Sequence, residues 1–389
     1  MNVDVVIEKR FYADPSGAVW TDNAFPLAFW SRYKTVFDTV TIVARVHDVD
    51  QPEPGWKQVN GPGVHVYGLP AYVGLNAFVK SLPATIAKLK QRKGQAERAI
   101  YRVPGVLSWL YHHFAAQPKQ PYGAEVVGDP ADTFAASASE GVLRPLIRRG
   151  FMAMLKRQCR QASSIAYVTQ HALQRRYPPA ANAFNTHYSS IKLDNNDYQT
   201  RSHYALSKQV KLLCIGNLSQ PYKGCDTMLQ TLHLLNASEA SCHLTWVGGG
   251  ELLGEMKALA NTLGVADAVT FTGNVADRDQ IRQLLDGTDL FILPSRQEGL
   301  PRVLIEAMAR SCLCVATRVG GVPELIDNTF IVPRDNAQAL YDGITMCMSL
   351  PEAQKLAVAS SNYIRSQDYH NNTLARRREA MYRHLREAV

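Results

Sequence analysis

Residues 291–309 read FILPSRQEGLPRVLIEAMA, and this stretch carries the pattern that decides the fold. The apolar run FILP predicts a buried strand, and the polar residues after it predict a loop. Pro301 stands where a first helical residue is expected, and the apolar residues beyond it recur at helical spacing. A buried strand that continues through a short loop into a helix predicts an α/β domain with a parallel sheet.

Two carboxylates flank the start of this helix. Glu298 stands in the loop, and Glu306 follows about one and a half turns into the helix. The N–H groups and the positive dipole end of a helix N-terminus suit a diphosphate, and carboxylates accept hydrogen bonds from hydroxyl groups. A lone pair of glutamates would favour a simpler interpretation, in which Glu306 is solvated and Glu298 only stabilises the helix start.

Lysine and glycine residues follow other strands of the same half, so the two glutamates do not stand alone. Lys223 lies after the first strand of this half and before a helix, where it can meet a phosphate. Glycine also makes ordinary turns, but several clusters in one domain predict close approach of a ligand to the carboxyl ends of the strands. These glycines are Gly224, Gly248, Gly249, Gly250, Gly320 and Gly321.

Short apolar runs separated by turns or helical stretches occur through both halves of the chain. The pattern predicts two α/β domains of the Rossmann type. We place the first over residues 1–200 and the second over 207–367, with a polar linker within 194–209. A C-terminal helix over 368–389 is expected to pack back on the first domain. The predicted strands are VDVVIEKRF, TVTIVARV, RAIYRVPG and AEVVGDP in the first domain, and KLLCIGNL, HLTWVGGG, AVTFTGNV, LFILPS, CLCVATRVGG and TFIVP in the second.

Length and composition agree with this division. A chain of 389 residues exceeds what one core usually fills. Lys and Arg total 42 against 34 Asp and Glu, and the formal charge of +8 favours an anionic partner: phosphates, nucleic acid or a membrane surface. The seven cysteines lack paired metal-ligand spacing, which predicts reduced core residues of a cytosolic protein. No membrane span or leader is visible, so we expect a protein that stays where it is made.

The motifs of the C-terminal half resemble, in residues and in order, glycosyltransferase family 4, the retaining enzymes of the GT-B fold. Glu298 and Glu306 fit the Glu-x7-Glu signature of that family. The resemblance implies two Rossmann-like domains facing each other across a cleft. It also implies transfer of a hexosyl group from a nucleoside-diphosphate sugar to a lipid-linked or polysaccharide acceptor. The matching motifs are KLLCIGNLSQPYKGCDTML, LTWVGGGE, VTFTGNV, LFILPSRQEGLPRVLIEAMA and VATRVGGVPELI.

The resemblance also assigns donor-binding roles. Glu298 would bind hydroxyls of the donor sugar, and Glu306 would bind the ribose hydroxyls. Lys223 would hold the diphosphate and, with Glu298, carry the catalysis. Backbone groups would complete the donor site, at Gly248, Gly249, Gly299, Leu300, Pro301 and Arg302.

Two further donor positions are less typical of the family. Many members have an arginine where this chain has Asn217, so one phosphate-neutralising charge is missing here or comes from elsewhere. A glycine-rich turn often follows the first strand to meet the diphosphate, and Gly17 is the candidate in this chain. An ordinary turn explains Gly17 equally well.

The N-terminal half matches the family mainly in layout. Members commonly carry a histidine on a later strand near the reacting sugar, where this chain offers Asp129. Asp129 is predicted to receive a sugar hydroxyl or to stabilise positive charge at the anomeric carbon, or else to cap the turn made with Pro130. Arg102, at another strand end, and His113 are candidate acceptor contacts, although an ion pair would also explain Arg102.

The implied mechanism needs no cofactor and no metal, because the departing diphosphate can itself accept the proton of the acceptor. Asp48 and Asp50 resemble a metal-binding Asp-x-Asp motif, but they stand in a polar loop without the corresponding fold pattern. A nucleotide-sugar 2-epimerase of the same fold is the alternative enzyme. A basic nucleic-acid-binding protein is the non-enzymatic alternative, and the chain lacks the recognition module it requires.

Two basic amphipathic stretches predict docking on an anionic membrane surface. Residues 141–160 combine six Arg or Lys with apolar residues at helical spacing, and 72–93 repeat this pattern. The competing interpretation is that both helices only cover the protein's own sheet. Their apolar residues are Leu143, Leu146, Ile147, Phe151, Met154 and Leu155 in the one, and Leu75, Phe78, Val79, Leu82 and Ile86 in the other.

Overall fold

A computed structural model of the chain describes residues 1–22, 24–131, 144–238 and 240–388. The chain forms two compact units. The first consists of Met1–Val168, Leu173–Tyr188 and Ala375–Val389. The second consists of Thr169–Ala172 and Ser189–Leu374.

The first unit is built on a mainly parallel sheet. Its parallel strands stand in the order β5, β3, β1, β6, β7, β8, β9, and β2 and β4 extend antiparallel from the far end of β1. Buried apolar side chains cover both faces of the central strands. The strands are β1 (Asn2–Ala13), β2 (Val19–Thr21), β3 (Thr39–Asp48), β4 (Lys57–Gln58), β5 (Val64–Pro70), β6 (Arg98–Val103), β7 (Tyr122–Val126), β8 (Ser164–Tyr167) and β9 (Phe184–His187).

Helices connect these strands and pack on the sheet. One core cluster joins β1 and β3 to the inner sides of three of the helices through Val6, Val43, Leu89, Leu107 and Leu155. The helices of this unit are α1 (Leu27–Trp30), α2 (Gly74–Arg92), α3 (Val106–Phe114), α4 (Arg144–Gln161) and α5 (Ala172–Arg176), whose first residue belongs to the second unit.

The second unit is a doubly wound parallel sheet in the order β12, β11, β10, β13, β14, β15. Its strands are β10 (Val210–Ile215), β11 (Cys242–Val247), β12 (Val269–Gly273), β13 (Leu290–Leu293), β14 (Leu313–Thr317) and β15 (Ile331–Val332). Its helices are α6 (Cys225–Ala237), α7 (Leu253–Thr262), α8 (Arg278–Asp286), α9 (Arg302–Ala309), α10 (Val322–Leu325), α11 (Ala337–Ser349) and α12 (Glu352–Ser366). The predicted α/β class with two Rossmann-like sheets is confirmed.

The division between the units differs from the predicted linker. It lies at Tyr188–Ser189, and the polar residues after it pack into the second unit. Asp197 is buried and forms ion pairs with Arg278 and Arg282, while the Tyr204 hydroxyl donates to the Asp289 carbonyl at 2.8 Å. Lack of periodicity predicted a linker, but these polar side chains are satisfied by long-range partners that only the tertiary structure provides.

The C-terminal helix α13 (Asn371–Glu387) passes from the second unit into the first. Its end is fixed to β6, because Arg98 donates to the carbonyls of Leu385, Arg386 and Ala388. The C-terminal helix predicted over 368–389 begins at Asn371, after a 3-10 turn at Gln367–Tyr369 that separates it from α12.

The structure also describes the cysteines and the apolar character of the helices. The seven cysteines, all within the described residues, are buried free thiols. Among the helices described, none has both the length and the apolar character needed to cross a membrane.

Candidate functional site

The strand order of the second sheet reverses between β10 and β13. Open α/β sheets bind ligands outside the carboxyl ends of the strands at such a switch point. The loop after β10 contains Lys223, and the loop after β13 contains Glu298. The two predicted residues therefore come from the two loops that meet at the reversal, although 75 residues separate them in the chain.

Lys223 and Glu298 contact each other directly. The Lys223 ammonium donates to Glu298 Oε1 at 2.7 Å, and the Ser295 hydroxyl donates to the same oxygen at 2.7 Å. Both partners of the ion pair are mostly buried, with 17% and 10% of their side chains exposed. A cation and a carboxylate held at one point can meet a ligand that carries both phosphate and hydroxyl groups.

Arg296 fixes the two loops to each other. Its backbone N–H donates to the Tyr222 carbonyl at 2.7 Å, and its side chain donates to the Pro221 carbonyl. The guanidinium also forms a two-point ion pair with Asp226, at 2.8 and 2.7 Å. Ser295 and Arg296 therefore position Lys223 and Glu298. The sequence prediction missed both residues, because their roles depend on a loop distant in the chain.

Glycine is required where the loops of this edge approach each other. A Cβ on Gly224 would lie 2.1 Å from the Pro294 carbonyl oxygen, and one on Gly320 would lie 1.9 Å from the Glu298 carbonyl oxygen. Gly248 has φ +133°, and its Cβ would lie 2.1 Å from the Gly216 oxygen. Gly249 differs, since its N–H donates to Asn274 Oδ1 at 2.8 Å. The glycines thus allow the backbones of neighbouring loops to lie in close contact. Their interpretation as simple turns does not explain these contacts.

The N-terminus of α9 lies beside the ion pair. The backbone N–H groups of Gly299 and Leu300 donate to no acceptor within the described residues. Pro301 occupies the N-cap position, so α9 begins at Arg302, one residue later than predicted. The donors and the helix dipole together form an anion-binding environment.

Glu306 lies on the wall of a cavity of about 150 Å³. Burial raises the pKa of the Glu306 carboxyl, and the nearby Arg302 and Arg278 oppose that rise. Asp197 and Leu193 form another part of the wall, so the segment just after the unit boundary contributes to this cavity. Arg278, Arg282 and Arg310 also line it, and the sequence prediction named none of them as lining residues.

Asn217 supplies no charge at the position where an arginine is usual. Its side-chain oxygen accepts from the Ser219 N–H at 2.6 Å, so it shapes the loop after β10. Gly17 has φ +83° in a turn of the first unit, and its N–H donates to the Asp14 carbonyl. Among the described residues, no group of three or more potential His, Cys, Asp or Glu ligands is placed to hold a metal ion.

The candidate residues of the first unit have internal partners. Asp129 is buried, accepts from the Ala131 N–H at 2.8 Å and from the Tyr177 hydroxyl, and forms an ion pair with Arg176. This geometry is that of the turn cap, the last of the three roles predicted for Asp129. The interpretation of Arg102 as a strand-end acceptor contact needs correction, because its side chain is buried and forms an ion pair with Glu125.

His113 lies exposed on α3, where Nδ1 is 2.8 Å from the Trp109 carbonyl oxygen and the ring lies tilted against the Trp109 indole. Among the described residues, no hydrogen bond or ion pair joins any two of the three candidates of this unit.

Comparison with known proteins gives a family match within the second unit. Residues 209–349 match the family described as glycosyl transferases group 1. Protein CapJ of Staphylococcus aureus is 25% identical over 327 residues, which are 81% of this chain and 80% of CapJ.

Similarity to a second relative is confined to a shorter region. A GDP-mannose-dependent alpha-(1-6)-phosphatidylinositol monomannoside mannosyltransferase of Mycobacterium tuberculosis is 34% identical over 137 residues. That match covers 33% of this chain and 35% of the relative.

A solved structure extends the likeness to the whole fold. Sucrose-phosphate synthase from Thermosynechococcus elongatus superposes with a TM-score of 0.73 at 17% identity, covering 100% of both chains. Residues 209–349 of the second unit are therefore similar to the glycosyl transferases group 1 family, and the chain has the GT-B fold.

Proposed function

We propose that the protein is a retaining glycosyltransferase that moves a hexosyl group from a nucleoside-diphosphate sugar to a lipid-linked or polysaccharide acceptor. The observation that carries this proposal is the contact between Lys223 and Glu298, at 2.7 Å, where the strand order of the second sheet reverses. The cation suits the diphosphate, and the carboxylate suits the sugar hydroxyls.

In the proposed reaction, the bond between the anomeric carbon and the diphosphate oxygen breaks as the acceptor oxygen attacks from the same face. The acceptor proton passes to the departing diphosphate. Lys223 and the N–H groups of Gly299 and Leu300 stabilise the negative charge that develops on that leaving group. Glu306 holds the ribose, and this contact is the same in the ground and transition states.

The relatives support the class of substrates. The name of the mannosyltransferase given above includes GDP-mannose, a sugar donor that carries a diphosphate. It also includes a phosphatidylinositol monomannoside, which is a glycolipid. The same two classes are proposed for this chain.

Nucleotide sugars are expected to raise the melting temperature of the protein, because a ligand that binds only the native state stabilises it by mass action. A panel of nucleotide sugars identifies the donor in a thermal shift assay. The donor is then incubated with oligosaccharide and lipid-linked acceptors, and products are separated by mass. Donor isomerised at C2 without transfer would mean that the protein is a 2-epimerase, and absence of any stabilisation would contradict a donor site.

We also propose that transfer requires no metal ion. Activity in 10-fold molar excess of EDTA over all divalent ions is expected to equal that without chelator, because Lys223 and the α9 N-terminus supply the positive charge for the diphosphate. Initial rates with and without EDTA test this. Loss of activity that Mg²⁺ or Mn²⁺ restores would contradict this proposal and would implicate Asp48 and Asp50 as ligands of the ion.

We propose that a surface of the first unit docks on anionic membranes from the cytoplasm, where a lipid-linked acceptor would lie. Both interpretations of α2 and α4 apply in part, because some of their apolar residues cover the sheet and others are exposed. Phe78 and Leu82 of α2 pack on the core, and Leu155 of α4 is buried. The first six residues of α2 and the first four of α4, however, include the exposed Leu75, Val79, Leu146 and Ile147, whose exposed fractions are 70%, 58%, 67% and 41%. Leu143 lies outside the described residues.

Basic side chains accompany these exposed apolar residues. Arg148 and Arg149 are exposed beside Ile147, and Lys80 is exposed beside Val79. Each Lys or Arg near an anionic bilayer contributes about 1 kcal/mol, so several of them support reversible binding without an anchor. The free cysteines agree with a reducing compartment.

The protein is expected to sediment with vesicles that contain anionic lipid, and salt should weaken that binding. The double variant Leu75→Glu with Val79→Glu should lose most of it, because it places negative charge in the proposed surface. Ile364→Glu is the control, since Ile364 is 65% exposed but lies on α12 of the second unit. Equal sedimentation of the double variant and the control would reject the surface.

A further inference from the structure

Arginine and aromatic side chains collect at the carboxyl ends of β1 and β3 in the first unit. Arg10 and Arg45 are directly paired in the parallel register, and Tyr12 and His47 form a pair two residues further on. Together with Trp56, these residues form what we call the strand-end cluster. None of its members belongs to the donor site or to the membrane surface proposed above.

The cluster occupies one face of the strand ends. Phe11 is buried against Trp30 on the opposite face, so the alternating residues Arg10 and Tyr12 project away from it. In the first sheet the strand order reverses between β1 and β6, so β1 borders the switch point. The carboxyl ends of strands beside a switch point are where such sheets bind ligands.

Two arginines paired across neighbouring strands are electrostatically unfavourable, since like charges directly opposite each other destabilise a sheet. Arg10 is partly exposed, and its side chain has no hydrogen bond or ion pair with any other described residue. No internal contact therefore explains its charge at this position.

Arg45 is only partly satisfied. It donates to the Tyr72 carbonyl at 3.1 Å and lies 3.6 Å from the Glu8 carboxylate, but its Nε is buried and finds no acceptor among the described residues. The other oxygen of Glu8 accepts from the Leu107 N–H at 2.6 Å. Glu8 thus pairs with Arg45, whereas no carboxylate among the described residues pairs with Arg10.

Aromatic rings adjoin the two arginines. Tyr12 stacks on Trp56 with ring centroids 4.2 Å apart, and the His47 ring lies 6.3 Å from Tyr12. All three rings are partly exposed. Sites for small organic ligands combine such rings with a few polar groups that fix orientation, and guanidinium groups bind carboxylates and phosphates through paired hydrogen bonds. Beyond Tyr72, Val73 is 64% exposed and adds apolar surface.

We propose that the strand-end cluster is an acceptor subsite that binds an anionic group of the glycan acceptor. Arg10 and Arg45 would hold the oxyanion, and Tyr12 with Trp56 would contact the adjoining sugar. The oxyanion is either the carboxylate of a uronic acid residue or a phosphate that joins the glycan to its lipid. The proposal rests on the glycosyl transfer proposed above and names the acceptor class for it.

Calorimetric binding to three soluble probes tests the subsite and distinguishes the two sources of charge. The probes are a disaccharide that contains glucuronic acid, a sugar diphosphate with a short prenyl chain, and the neutral disaccharide with glucose in place of glucuronic acid. One of the two anionic probes is expected to bind the wild type at least about 10-fold more tightly than the neutral disaccharide, since hydrogen bonds to a charged group are stronger than those between neutral groups.

Arg10→Gln is the cleaner variant, because it removes no internal contact. It should weaken binding of the preferred anionic probe about 10-fold, and Arg10→Gln with Arg45→Gln about 100-fold, while affinity for the neutral probe stays the same. Arg376→Gln, which removes an equal charge from an exposed position on α13, is the control. Circular dichroism verifies that each variant is folded.

Two outcomes would overturn the subsite: no anionic preference in the wild type, or binding by Arg10→Gln and the double variant within twofold of the wild type. Thermal stabilisation by the nucleotide sugar is measured on the same samples. If the donor stabilises all variants while the anionic probes fail, the subsite is wrong and the proposed function stands. If the donor stabilises none of them, including the wild type, the proposed function itself fails.

Discussion

Replacing Lys223 with alanine is expected to lower the turnover number of sugar transfer by about 100-fold to 1,000-fold, the range seen when one preorganised charge-stabilising group is removed. The ammonium lies 2.7 Å from Glu298 and is mostly buried, so no mobile surface cation can take its place. Glu298→Gln should cause a loss of similar order, because it leaves Lys223 without its carboxylate and weakens the contact with the sugar hydroxyls.

The measurement is the initial rate of transfer at saturating donor, with donor affinity determined separately. Glu306→Ala is the informative contrast: its contact with the ribose is present before and during the reaction, so the Michaelis constant should rise while turnover changes little. Lys257→Ala, on an exposed turn of α7, is the matched control for loss of a lysine. Turnover of Lys223→Ala close to the wild-type value would remove the site assignment.

Replacing Glu125 with glutamine is expected to destabilise the first unit by about 3–5 kcal/mol, the usual cost of removing one partner of a buried ion pair. Glu125 is 1% exposed and accepts hydrogen bonds from the hydroxyls of Tyr33, Tyr188 and Tyr382, at 3.0, 2.8 and 3.0 Å. It also forms ion pairs with Arg102 and Arg32. The glutamine would leave both guanidinium groups buried without a counter-charge.

Urea denaturation monitored by fluorescence of the first unit measures this loss, because the Trp30 ring stacks on Tyr33. Glu379→Gln is the control, since its ion pair with Arg383 on α13 is exposed and such pairs contribute at most about 1 kcal/mol. A free energy of unfolding within 1 kcal/mol of the wild type would contradict the assigned role of Glu125.

The pH dependence of the same difference gives a second check. Burial alone would raise the pKa of Glu125, but attraction by Arg102 and Arg32 outweighs it and lowers the pKa to about 2, from an ordinary value of 4.5. A carboxyl whose pKa is lower in the native state stabilises that state fully above the unfolded pKa. The difference between wild type and variant should therefore be constant above pH 4.5 and shrink as the pH falls toward 2.

The sequence by itself determined the α/β class and much of the second unit. The stretch around Glu298 has strong strand, loop and helix signals, and the strands of that half all emerged close to their predicted positions. Short strands of the first unit were missed, among them β8 and β9, which have only four residues each. Four residues are too few to show a period, particularly in β8, where every residue is buried.

Candidate site residues could be predicted when they belong to a short motif at a strand end or a helix start. Lys223, Glu298 and Glu306 each stand beside a strand end or a helix start, so their position along the sheet edge follows from the motif. The contact between Lys223 and Glu298 could not be predicted from the motifs, because it depends on β10 and β13 being neighbours in the sheet.

The tertiary structure alone decided the partners of the polar residues. Arg102 could be an acceptor contact or an ion pair by sequence, and burial beside Glu125 makes it the latter. The polar residues after Tyr188 resembled a linker until Asp197 was found between Arg278 and Arg282. The pairing of Arg10 with Arg45 was likewise invisible in the sequence. The physical reason is the same in each case: hydrophobic period and turn chemistry are local properties of the chain, whereas the partner of a charge is set by which distant strand or loop folds beside it.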